Sequence, residues 1–131
     1  MSIIPATWSD KLLAVLRIMT GLTFLQHGTA KLLGFPFQEY FKDGVPLFSL
    51  MGLAGVLEIV GGVLIIIGLF TRVTAFILAG MMAVAYFMAH APQNFFPANN
   101  GGEAAYLFCF VFLYLAAAGA GAWSVDRTRA A

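Results

Sequence analysis

The chain has 131 residues, 61% of them hydrophobic and 10% charged, with a mean hydropathy of +0.90. A soluble domain carries about 25% charged residues, so this composition predicts an integral membrane protein whose first partner is the lipid bilayer. Seven basic against six acidic residues leave a net charge of +1, which provides no field for nucleic acid; Cys109, the sole cysteine, excludes an internal disulfide, a CxxC redox pair and a cysteine-ligated cluster within one chain.

The first apolar run, 11–33, is long enough to cross a hydrocarbon core of roughly 30 Å, which takes about 20 helical residues. It contains Arg17, exceeds the length of a signal-peptide core and lacks a small-x-small cleavage pattern, so it is expected to stay in the mature chain. Gly34-Phe35-Pro36 stops it. Asp43-Gly44-Val45-Pro46 precedes a second run, 47–69, and Thr71-Arg72 forms a minimal turn into a third, 73–91, which Pro92 ends. A polar knot, "NFFPANNGGEAAY" at 94–106, leads into the fourth run, 103–123. The predicted fold is all-α, an integral membrane four-helix bundle forming one domain over 1–131.

Short loops set the topology. Both termini and the Thr71-Arg72 turn share one side, with Lys11, Arg17, Arg72, Arg127 and Arg129; the other side holds only Lys31 and Lys42. Five cations against two predict cytoplasmic termini, and the polar knot then faces outward.

Ionisable residues inside spans are costly and face a bundle interior or a partner. Arg17, Gly21, Phe24, Gly28 and Lys31 follow steps of four and three and form one helical stripe, with His27 on an adjoining line; Gly55, Glu58, Gly62 and Ile65 form a second. Counted from the outer ends, Glu58 lies about 16 Å deep and Arg17 about 24 Å, a gap an arginine side chain spans, so an Arg17–Glu58 ion pair is predicted near mid-membrane. His27, Lys31, His90 and Glu103 fall in a shallower layer. With Asn100 and Tyr106 they form a candidate ligand pocket on the outer side, floored by His27 and covered by the knot.

Structural alternatives stand beside each reading. Asn100 as N-cap would place Glu103 at the third helical position of a capping box. The Arg17–Glu58 pair could be architectural, Lys31 could snorkel to headgroups, and His27 could be a hydrogen-bonded helix-packing residue. Haem or metal ligation by His27 and His90 is disfavoured, because there is no third histidine and no close carboxylate pair, and a helix-ending proline follows His90. The loop aromatics Phe35, Phe37, Tyr40, Phe41, Phe95 and Phe96 suit an interfacial belt, or in part the walls of a pocket for a quinone ring. Small-residue faces at Ala75, Ala79 and Ala83, and at Ala117 and Gly121, are packing surfaces compatible with a homo-oligomer.

The segments "GLTFLQHGTAKL" (21–32), "EIVGGVLIIIGLFTR" (58–72) and "FFPANNGGEAAYLF" (95–108) resemble the DoxX family of small bacterial membrane proteins, from Arg17 to Asp126. The matching positions are Gly21, His27, Gly28, Lys31, Glu58, Gly61, Gly62, Arg72, Asn100, Gly101, Gly102 and Glu103. The resemblance implies a four-helix inner-membrane protein. It also implies an oxidoreductase assignment of the kind given to some relatives, and related polypeptides include a subunit of thiosulfate:quinone oxidoreductase; the family label brings no settled catalytic residues. Three functional readings follow: a redox-associated subunit binding quinone or another small molecule and working with redox partner proteins, a scaffold subunit, and a small-molecule or proton pathway through Arg17 and Glu58.

Overall fold

A computed structural model describes residues 1–130. Among them are six helices and no strand. They are α1 (Ser9–Leu33), α2 (Leu50–Ile67), α3 (Thr71–Ala85, extended by a π-helical turn, Tyr86–His90), α4 (Pro97–Asn100), α5 (Glu103–Ala118) and α6 (Val125–Ala130). The helix α2 and the continuous stretch Thr71–His90 are long and apolar enough to cross a membrane; α5 is apolar but shorter. The chain forms two compact units: Met1–Leu69 with the segment 120–130, and Phe70–Gly119.

Local chemistry sets the boundaries. Ser49 opens α2 by accepting from the Gly52 amide at 3.1 Å, so this helix begins at Leu50 rather than at 47. Gly68, at φ +69°, closes it in the left-handed conformation that a Cβ would disfavour; the Gly68 amide donates to Ile65 and the Leu69 amide to Leu64. The turn expected at Thr71-Arg72 lies earlier. Gly68 to Phe70 make it, and Thr71 already belongs to α3. The fourth helix stops at Ala118 instead of continuing to residue 123, because Gly119 turns the backbone out.

In the first unit, α1 packs on α2 through the two predicted stripes. Arg17, Gly21, Phe24 and Gly28 are buried on α1, and Gly55, Glu58, Gly62 and Ile65 on α2. Glycine permits the approach: a Cβ on Gly28 would lie 2.8 Å from the Gly55 carbonyl oxygen and 2.9 Å from Glu58 Cβ. Seven residues earlier on α1, a Cβ on Gly21 would lie 3.1 Å from the Gly62 carbonyl oxygen. Gly28 therefore faces Glu58, and Gly21 faces Gly62.

This register overturns the expected Arg17–Glu58 pair. Arg17 lies one turn beyond Gly21, and helical side chains lean toward their own N-terminus, which carries its guanidinium away from Glu58 and past the end of α2. The later start of α2 also brings Glu58 closer to the outer end than the depth count assumed. Arg17 is fully buried and donates only to backbone carbonyls: Nε to Ile65 at 3.0 Å, Nη1 to Ala120 and to Ala122 at 3.1 Å, Nη2 to Ile66 at 3.5 Å and to Trp123 at 2.8 Å. It caps α2 and ties the segment after residue 119 to it. Near the start of α1, Arg127 of α6 pairs with Asp10, and its hydrogen bond holds the Asp10 carboxyl below its ordinary value.

In the second unit, α3 packs on α5. Ala75, Leu78, Ala79 and Met82, spaced by three and four, are buried on α3, and Phe112 and Leu115 on α5. Arg72 plays a capping role like that of Arg17: it donates to the carbonyls of Ala116, Ala117 and Ala118, which α5 leaves open at its C-terminus.

The α1–α2 contact is testable through its glycines. Gly28→Ala must separate two backbones and is expected to cost about 1–3 kcal/mol. Gly80→Ala, in the middle of α3 where a Cβ would meet nothing within 4 Å, is expected to be neutral or stabilising by up to about 1 kcal/mol. Thermal unfolding in detergent distinguishes the two; equal melting temperatures would count against the close approach.

Candidate functional site

The candidate residues divide between the units: His27 and Lys31 belong to the first, and His90, Asn100, Glu103 and Tyr106 to the second. In the first unit, Lys31 takes the place expected of Arg17. Its Nζ lies 2.9 Å from both carboxylate oxygens of Glu58, with side-chain exposures of 9% and 6%. The lean of α1 side chains toward the N-terminus explains this pairing, since it brings Lys31 back to the level of Gly28, which Glu58 faces. The ammonium also lies 3.5 Å from the His27 carbonyl oxygen and 5.3 Å from the ring centroid of Phe41, in the short 3-10 turn Glu39–Phe41. Lys31 is thus engaged within the protein rather than directed to headgroups. The His27 side chain is half-buried one turn before Lys31.

The second unit gathers the polar knot around Asn100, which is 3% exposed. Its Oδ1 accepts from the Gly102 amide at 2.8 Å, a bond only the oxygen can make, and this fixes the orientation of the amide. Nδ2 then uses both hydrogens, on the Asn94 carbonyl at 3.0 Å and the Tyr86 hydroxyl at 3.1 Å. The Asn100 carbonyl accepts from His90 Nδ1 at 3.0 Å. Gly102 is required here, because a Cβ would lie 2.7 Å from Asn100 Oδ1 and 2.8 Å from both His90 Cβ and a Tyr86 ring carbon.

The remaining positions follow from this hub. Asn100 ends α4 and does not cap α5; Gly102 is the N-cap and Glu103 the first helical residue, so the capping box does not form. Glu103 is exposed beside the positive end of α5. Tyr106 reaches the cluster through aromatic edges, 5.8 Å from Tyr86 and 5.1 Å from Phe110 between centroids. Tyr86 was missed by the sequence reading. Its signal was the four-residue step to His90; the π turn, closed by the Ala91 amide on the Tyr86 carbonyl, holds these two rings 6.4 Å apart. Such turns recur at functional sites. Among the described residues, no three His, Cys, Asp or Glu side chains converge to hold a metal.

Removing one partner from a buried pair strands a charge, whereas replacing both with apolar groups does not. Lys31→Met is therefore expected to destabilise the fold by about 3–5 kcal/mol, and Lys31→Met with Glu58→Leu to recover most of that loss. Chemical unfolding in micelles measures both; a double variant no more stable than the single one would mean the pair is not an isolated structural unit.

Two comparisons bear on ancestry. The family model described as DoxX matches residues 12–91. A protein of uncharacterised function from Haemophilus influenzae is 48% identical over 99 residues, covering 73% of this chain and 74% of the relative. No solved structure matches. The family match ends before Asn100, so it includes Tyr86 and His90 but not the hub that holds them.

Proposed function

The chain belongs to the DoxX family, and from that premise we propose that it is a multi-pass protein of the bacterial inner membrane. In this reading it serves as a redox-associated subunit that binds a quinone or a similar small ring. Residues 1–131 form one membrane domain of four spanning segments with cytoplasmic termini. Support for membrane residence comes from the two long apolar helical stretches and from large apolar side chains exposed along them, such as Leu53, Val60, Phe76, Ile77 and Val84. The excess of Lys and Arg on the terminal side supports the orientation.

The observation that carries the ligand reading is the knot. A buried asparagine, its side-chain amide fully hydrogen-bonded, holds half-buried Tyr86 through Nδ2 and half-buried His90 through its carbonyl, beside the aromatic edges of Tyr106 and Phe110. Aromatic side chains beside a few fixed polar groups suit a flat ligand. Electrons would pass to or from a cofactor-bearing partner protein.

A second reading, a non-catalytic scaffold, is favoured by the first unit, where Arg17, Lys31 and Glu58 are all committed to helix packing. A proton pathway through Arg17 and Glu58 loses its basis, since the two do not pair. Native purification followed by absorption spectroscopy and mass spectrometry separates the remaining two. The redox reading expects an aromatic quinone-type molecule to co-purify, at reduced occupancy in His90→Ala; a ligand-free protein held by a stable partner would favour the scaffold.

A further inference from the structure

The hydrogen-bonding polarity of the knot points to the form of ligand it takes. His90 Nδ1 faces a carbonyl oxygen, which can only accept, so Nδ1 carries the proton and neutral His90 presents Nε2 as an acceptor. Tyr86 is the complement. Its hydroxyl oxygen accepts from Asn100 Nδ2, whose identity the Gly102 amide fixes, and its own proton remains available for donation. Among the described residues, neither Nε2 of His90 nor the Tyr86 hydroxyl hydrogen has a partner, and both side chains are half-buried on adjacent rings.

We propose that Tyr86 and His90 form a paired donor and acceptor that selects a ring-borne hydroxyl, a phenol or hydroquinone, over the corresponding carbonyl. One hydroxyl oxygen satisfies both residues: it donates its hydrogen to His90 Nε2 and accepts from the Tyr86 hydroxyl. A quinone carbonyl, an acceptor only, satisfies Tyr86 and leaves Nε2 facing a lone pair. The selection is therefore for the reduced ring, with Asn100 setting the polarity of both partners. This rests on the reading that the knot binds a ring; the preference between the two oxidation states is the added claim.

The test uses the full chain in lipid nanodiscs with tetramethylhydroquinone and tetramethylbenzoquinone as probes, and titration calorimetry under anaerobic conditions. One neutral hydrogen bond gained against an unpaired acceptor predicts about tenfold tighter binding of the hydroquinone by the unmodified protein. His90→Phe is expected to remove that preference by weakening the hydroquinone alone, and Tyr86→Phe to weaken both probes. Equal affinities in the unmodified protein would overturn the selection while leaving ring binding intact, whereas binding of neither probe would overturn the ring-binding reading itself. Should a variant fail to fold, the unmodified protein still decides the preference. Nitrogen-15 spectra with the His90 proton on Nε2 would also overturn it.

Discussion

A fully buried guanidinium is the constraint on which the first unit depends. Backbone carbonyls at a helix end have no partner in lipid, and each one left open costs several kcal/mol. Arg17 makes five hydrogen bonds to backbone carbonyls, those of Ile65 and Ile66 at the end of α2 and those of Ala120, Ala122 and Trp123 in the segment after α5. Lysine could not substitute, because three donors on a flexible stem cannot match a planar fork of five. Arg72 makes a similar contribution to α5 in the second unit. Both arginines therefore spend their donors on backbone carbonyls, Arg17 from a fully buried position and Arg72 from an exposed one.

The buried ion pair and the polarity available for chemistry lie in different units. Lys31 and Glu58 neutralise each other beside the Gly28–Gly55 approach, and Phe41 covers the ammonium. In the knot, by contrast, the buried group is neutral and fully satisfied, while the groups it positions keep an unused donor and an unused acceptor. Rigid presentation of a few polar atoms at the edge of an apolar body is how a site acquires specificity without a large pocket.

Much of the architecture was legible in the sequence. The stripes through Gly21 and Gly28 and through Gly55 and Gly62 followed from helical spacing, and they are the buried faces of α1 and α2. What periodicity could not supply was axial register. The partner of Glu58 depends on where α2 starts, set by the Ser49 cap, and on the lean of side chains along α1; a three-residue error at one end was enough to exchange Lys31 for Arg17. Likewise, "PANN" read as a cap because an asparagine preceded a helix, yet Gly101 at φ +70° makes a separate short helix and frees Asn100 to act as a hub. Tyr86 escaped notice because a tyrosine in an apolar run looks like core until a π turn sets it against His90.

In the proposed function the knot, and not the charged first unit, holds the ring. A photoreactive azido-benzoquinone, cross-linked to the protein in native membranes and mapped by peptide mass spectrometry, tests this directly. Labelling is expected within residues 86–110 and to be suppressed by excess tetramethylhydroquinone. Labelling confined to residues 9–67, or labelling that excess hydroquinone leaves unchanged, would contradict it.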